Sequence, residues 1–219
     1  NAVIGIKASS GATTYLWSWH IWVDNPLTTR FNNITWMDRN LGATISYYET
    51  TGKSKGLLYQ WGRKDPFPSG TAWSTTEPQL YGKVTGITLA PNQSFNNIDF
   101  SIQSPLSFYG GLSPIYDWVT NTTTARTNQQ DNLWGSINTD DTGIKTMYDP
   151  CPPGWKVPHI DAWNNSVITE SNSFVVSSNG RRIINIDRTY FPMPGVRNLA
   201  TGALYSAGYA FYWSCSPVY

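Results

Sequence analysis

Glycine and proline are spaced so closely along this chain that long helices find no room between them. Eighteen Gly and fourteen Pro among 219 residues interrupt nearly every window of helical length. Proline removes a backbone donor and clashes with the preceding turn, and glycine costs conformational entropy inside any regular element. What remains is a set of short strands, turns and loops. Residues 2–7 read as one strand, closed by Ser9-Ser10-Gly11, and residues 15–23 as a second. In the second, alternation places Trp17, Trp19, Ile21 and Val23 on one face and Ser18, His20 and Trp22 on the other. Ile34–Asp38 is a third candidate, ended by Asn40-Leu41-Gly42. Further along, Asn179-Gly180 between two apolar runs predicts a tight hairpin, because both central residues of that turn need positive φ. Strands at Thr189–Met193 and Tyr209–Cys215 follow, with a glycine-containing turn between Arg197 and Leu204-Tyr205.

Helix is expected in two places only. Pro158 precedes a stretch over 159–168 in which Ile160, Trp163 and Val167 recur at spacings of three and four. Residues 112–119 have room for one helical turn. Between residues 43 and 147 the chain reads as mostly irregular, with Gly56–Pro66 a tight structural insert and 69–104 and 120–146 long loops. Loops of that length in a compact domain tend to be functional when ordered. No repeat of fixed period and no low-complexity linker divides the chain, so residues 1–219 are expected to form a single domain.

The side chains fit that picture. Charged residues are 13% of the chain, about half of the usual ~25%, so its polar surface comes from Asn, Ser, Thr and Gln. Eleven Trp, thirteen Tyr and eight Phe supply a core of few but bulky pieces. A formal charge of +1, with no basic cluster larger than Arg181-Arg182, gives no field for nucleic acid. No apolar run approaches the ~20 residues that span a bilayer. A chain that starts at Asn and shows no signal peptide is expected to be a piece of a longer precursor, its anchor upstream. Cys151 and Cys215 are compatible with one disulfide in an oxidising compartment.

Four ordered motifs carry a resemblance: Trp36–Ala43 (WMDRNLGA), Tyr59–Phe67 (YQWGRKDPF), Tyr148–Pro158 (YDPCPPGWKVP) with Trp163, and Tyr212–Pro217 (YWSCSP). Together they resemble the Fibrobacter succinogenes major paralogous domain, widespread on surface proteins of Bacteroidetes and Fibrobacteres. The opening segments, Asn1–Ile4 and Leu16–Val23, resemble the lead-in of such domains at the C-terminal end of fimbrillin-like, pilus-associated proteins. The resemblance implies an α+β, C-type-lectin-like fold: short twisted antiparallel sheets, one or two short helices and long irregular loops. Trp155 and Trp163 would brace the helix, Trp213 would lie in the closing strand, and Pro152-Pro153-Gly154 would turn the chain into the helix. The sequence departs from the family at Cys215, where Ser is more usual, and the terminal strand expected to carry a partner for Cys151 does not follow.

The functional expectation is a non-catalytic recognition domain, extracellular and on the cell surface, at a fimbrial tip or on an outer-membrane lipoprotein. Its partners would be a glycan or a host or bacterial surface protein, and other pilus subunits if its role is assembly. Alternatives are a structural pilus subunit and a retroelement-diversified, receptor-binding variable protein. Aromatic side chains late in the chain suit recognition, because a rigid apolar face with one polar tip makes contact at low entropic cost. The candidate binding residues are Arg197, Asn198, Tyr205, Tyr209, Phe211 and Tyr219. The plainer reading of any one tyrosine is core.

Catalytic patterns are weak. Neither cysteine has cationic neighbours in sequence to lower its thiol pKa, as formylglycine-generating chemistry on this fold would need. A Ser-His-Asp set lacks a Gly-x-Ser-x-Gly elbow, and His20 and His159 read as a packed strand histidine and a helix cap. Asp140-Asp141, with Asp131 and Asn132 upstream, could supply hard oxygen ligands for Ca²⁺, although Thr-Asp-Asp-Thr-Gly is equally an ordinary turn. No other cofactor is expected. Asp149, ahead of Pro150, is expected to bond nearby backbone.

Overall fold

The computed structural model describes residues 1–31, 34–76, 78, 88–90, 98–110, 118–119, 132–135, 143–163, 173–175, 182–184 and 190–216. Within them the fold is β-rich and mixed, made of short strands with very little helix. The expected Asn179-Gly180 turn, Val167, Tyr219, and Asp131, Asp140 and Asp141 lie outside the described residues.

The first two expected strands pair. β1 (Ala2–Ile6) runs antiparallel to β2 (Trp17–Ile21), with Ile4 opposite Trp19 and Gly5 opposite Ser18. Alternation correctly sorted the two faces of β2, and the tertiary context assigns them. Ser18 is buried, its hydroxyl donating to Asp65 Oδ1 at 2.6 Å, while Ile4, Ile6, Trp19 and Ile21 make an exposed apolar outer face. β3 (Thr28–Phe31) and β4 (Ile34–Met37) form the next antiparallel ribbon, and β5 (Leu57–Leu58) pairs with β6 (Phe67–Pro68). One parallel pair occurs among the described residues, β7 (Thr88–Ala90) beside β8 (Ser107–Tyr109). Between them in sequence lies α1 (Ile98–Gln103), a short helix in a segment expected to be loop. β9 (Ser173–Val175), β10 (Arg182–Ile184) and β11 (Tyr190–Phe191) form a three-stranded antiparallel sheet in the order β11-β10-β9. The flanks of the expected hairpin thus pair, with Arg182 opposite Val175, a register two residues away from the one a two-residue Asn179-Gly180 turn would set. β12 (Val196–Arg197) and β13 (Leu204–Tyr205) close the series.

Two expectations are corrected. The helix over 159–168 is, within the described residues, a single 3-10 turn over Ile160–Ala162, capped by His159, whose Nδ1 accepts from the Asp161 N–H. The strand expected at Tyr209–Cys215 is irregular, because its backbone is bonded from scattered directions rather than by a neighbouring strand. Trp61 Nε1 donates to the Ser214 carbonyl, Trp163 Nε1 to that of Trp213, and Gly195 N to that of Tyr209. The Cys215 N–H is used by the Pro158 carbonyl.

The core is aromatic, as the composition requires. Tyr109, Trp118, Val119 and Leu133 form one buried cluster, Trp134, Val157 and Cys215 another, and Trp61 and Tyr148 pack against both. Each large apolar side chain so buried contributes about 2–3 kcal/mol. A third cluster gathers Trp36, Trp163 and Tyr212 around Phe191, with Trp36 and Trp163 centroids 4.9 Å apart. Trp163 therefore braces an aromatic cluster. Gly135 is fixed by geometry: its φ is +95°, and a Cβ there would collide with the Ile144 carbonyl. No helix among the described residues is long and apolar enough to cross a membrane.

Candidate functional site

Two buried charges, Arg63 and Asp65, and the half-buried Lys64 between them hold the insert Gly56–Pro66 in place. Arg63, 1% exposed, donates through Nη1 to Gln60 Oε1 (2.9 Å) and the Ser107 carbonyl (2.6 Å), and through Nη2 to the Pro105 carbonyl (2.9 Å). Its guanidinium lies against the rings of Phe67, Tyr109 and Trp118. Desolvation pushes its pKa down to about 10, which leaves it charged at neutral pH. Next to it, Lys64 Nζ donates to Ser18 Oγ (2.6 Å) and to both oxygens of the buried Asp65 (2.8 Å each). A serine beside a lysine and an aspartate is a nucleophile-like grouping that the sequence did not suggest. Ser18 is only 1% exposed, and the group closes β2 onto the insert.

On the same inner face His20 meets Asn1 Oδ1 through Nε2 (3.0 Å) and the Tyr59 hydroxyl at 3.5 Å through Nδ1. Burial is the largest cause that pushes its pKa from 6.5 down to about 4. The unfolded chain therefore binds more protons between those values, so stability is full above about pH 6.5 and falls as pH drops towards 4. Urea midpoints measured across this window are expected to decline on acidification, and His20→Gln is expected to flatten the decline. An unchanged slope in the variant would remove His20 as its source.

Against this scaffold lies an open cleft of about 800 Å³. Phe67, Phe108, Trp118 and Trp134 form its buried floor, and Leu57, Leu58 and Val196 stand on its walls. Tyr205, Phe211 and Trp213 form its exposed rim, Phe211 being 69% exposed and Tyr205 45%. Three of the residues expected to bind ligand, Arg197, Tyr205 and Phe211, thus meet on one concavity, as does Trp213. Their meeting depends on the β12–β13 hairpin. Gly195 enters it at φ +84°, and the Asn198 side-chain oxygen accepts from the N–H groups of Ala200 (2.9 Å) and Thr201 (3.0 Å). Arg197 Nη1 donates to the Gly202 carbonyl (2.8 Å) and Nη2 to that of Pro68 (2.6 Å), which ties the hairpin to β6.

The other expected residues divide. Asn198 shapes the turn and is not on the cleft. Tyr209 is 62% exposed and stands away from the cleft, its backbone serving Ser206 and Gly195. A second cleft of about 780 Å³ shares Tyr212 and Trp213 with the first, and is lined by Trp36, Trp155, Trp163 and Asp161. Trp155 is thus a cleft residue as well as part of a turn. The turn itself is as read: Trp155 N donates to the Pro152 carbonyl at 3.1 Å across Pro153 and Gly154, whose φ is +82°. Cys151 and Cys215 both carry free thiols in one cluster, and burial pushes both thiol pKa values up. That shift disfavours the thiolate a nucleophile would need. Among the described residues no group of three or more His, Cys, Asp or Glu could hold a metal ion. The residues the sequence missed are the cleft floor and the buried charges. A run of three charges, Arg63-Lys64-Asp65, inside an aromatic motif was the available signal.

The chain matches no family model, no curated protein and no solved structure.

Proposed function

We propose that this chain is a non-catalytic recognition domain of a bacterial cell surface, C-type-lectin-like in arrangement, serving as an adhesin at a fimbrial tip or on a lipoprotein. The observation that carries the reading is the open aromatic cleft, which gathers Arg197, Tyr205, Phe211 and Trp213 from one hairpin and the segment after it. Exposed aromatic side chains around a preformed concavity are what a binding surface needs, since they add contact area without ordering many rotamers. The ligand is a glycan or a host or bacterial surface protein. The raised pKa values of the Cys151 and Cys215 thiols and the inaccessible Ser18 support a role without covalent chemistry.

The test is a screen of the domain against glycan arrays and host-surface proteins, followed by the double variant Tyr205→Ala/Phe211→Ala. Binding is expected to weaken by about tenfold or more, with a melting temperature within about 2 °C of the parent, because both side chains are exposed. Binding that survives the double change would place the ligand elsewhere. A second reading, a pilus subunit domain, is favoured by one feature: the β1–β2 ribbon has an exposed apolar face and no third strand among the described residues.

A further inference from the structure

One edge of the β1–β2 ribbon is open. In an antiparallel pair every second residue turns its N–H and C=O away from the neighbouring strand. Among the described residues no backbone group of residues 2–5 bonds outside the ribbon, and Ile6 reaches only to the N–H of Leu16, at 2.8 Å. β1 therefore carries a row of unused donors and acceptors. β2 differs, because its Ser18 carbonyl and hydroxyl both take Lys64 Nζ, which fastens it to the insert. Edge strands that must stay alone are guarded by charge, proline or a bulge. Ala2-Val3-Ile4-Gly5-Ile6 has none of these, runs in unbroken register with β2, and leaves four of its five residues exposed. No described strand outside this ribbon is as long.

The residues of β1 select a second copy of themselves. Laid antiparallel about a two-fold axis at Ile4, two β1 strands set Ile4 beside Ile4, Ile6 beside Ala2, and Val3 beside Gly5. Each flanking pair matches a large side chain to a small one, and the pair on the axis is β-branched on both sides, which suits a sheet. Ala2, Ile4 and Ile6 stay on the outer face in both copies. A slip of one residue would turn one copy's inner face outward. Because Ile4 already stands opposite Trp19, the two ribbons join into one apolar row, Trp19-Ile4-Ile4-Trp19, across the outer face. The flanks of side chains that are about half exposed in the monomer are then covered by their own counterparts.

We propose that β1 is a self-pairing edge, through which two copies of the chain form a four-stranded antiparallel sheet in the order β2-β1-β1-β2. The seam is five residues, about 17 Å, long. It covers far less than the ~800 Å² that each partner gives to a standard stable interface, so the dimer is reversible, half-dissociated on the order of 100 µM. The ribbon shares no residue with either cleft, so this association and ligand binding are tested separately.

Sedimentation velocity on the 219-residue chain, from about 5 µM to about 1 mM, is expected to show monomer passing to dimer. Ile4→Lys and Ile4→Glu each set like charges opposite one another at the axis, and each alone is expected to associate about fivefold or more weakly. An equimolar mixture of the two is expected to recover the parent's affinity. Ile4 is half exposed, so both variants are expected to melt within about 3 °C of the parent. Amide exchange of the parent needs no variant: protection in residues 2–6 is expected to rise with concentration. A parent that stays monomeric throughout, or protection of β1 that stays flat, would overturn the proposal. Association that survives both substitutions, or variants that remain apart when mixed, would overturn it too, by placing any contact away from Ile4.

Discussion

Arg63→Ala is expected to lower the stability of the domain by about 3–5 kcal/mol, the largest loss expected from any single change in the insert. Two effects add. The guanidinium fills a volume bounded by Phe67, Tyr109 and Trp118, and removing it leaves a cavity. Its absence also deprives the Ser107 and Pro105 carbonyls and Gln60 Oε1 of charge-assisted donors at a buried to half-buried site. For a chain of this length the loss corresponds to a fall of roughly 6–20 °C in melting temperature. Arg63→Met separates the two effects, since it restores most of the volume and none of the donors. It is expected to fall between the parent and Arg63→Ala. A methionine variant as stable as the parent would show that the hydrogen bonds contribute nothing net.

The position of Arg63 also shows where reading the sequence succeeds and where it stops. Local signals were legible. Alternation found β1 and β2, Asn179-Gly180 pointed to the paired strands β9 and β10, and Pro152-Pro153-Gly154 announced the turn that Trp155 closes. Each depends only on dihedral preference or on a period of two within a few residues. Which face of β2 turns inward was not legible. The more apolar face, with Trp19 and Ile21, is the exposed one, and Ser18 goes inward because Asp65 and Lys64 wait there from the insert. That partnership spans 47 residues of sequence, beyond any local pattern. Tyr209–Cys215 failed for the related reason that its carbonyls are claimed by indoles from residues 61 and 163.

The candidate site was legible by residue type and not by place. Exposed aromatics after Arg197 pointed to a stretch of chain that lines the cleft, yet alternation there could not separate Tyr205 and Phe211, on the cleft, from Tyr209, off it. The chain is irregular in that segment, so no period applies. Its floor comes from Phe67, Phe108, Trp118 and Trp134, which are core residues by every sequence criterion. A cleft wall and a core differ only in whether the space beside the ring is filled. That is a property of packing between distant segments, not of any one of them.

Asp149→Ala is the second large effect, and it falls on the motif that carried the family resemblance. The Asp149 carboxylate is fully buried and accepts three donors: Cys151 N at 2.8 Å, Val157 N at 2.9 Å and Lys145 Nζ at 2.7 Å. One side chain thus closes the whole loop from residue 149 to 157 around itself, the local side-chain-to-backbone bonding expected of an aspartate there. Lys145 makes a further bond to the Cys151 carbonyl, so its ammonium depends on the same arrangement. Removing the carboxylate leaves two buried N–H groups without an acceptor and a partly buried ammonium without its counter-charge. The expected cost is about 3–5 kcal/mol, read as a lower urea midpoint at unchanged slope. Asp149→Asn keeps one acceptor oxygen and loses the charge and the other, so it is expected to cost about half as much. The loop supplies a second readout: Cys151, now partly buried with its thiol pKa raised by burial, is expected to react at least about tenfold faster with a thiol reagent in Asp149→Ala, as the loop opens and the thiolate becomes solvated. A variant that loses stability with Cys151 as slow as before would place the damage elsewhere in the core and leave the loop standing without its aspartate.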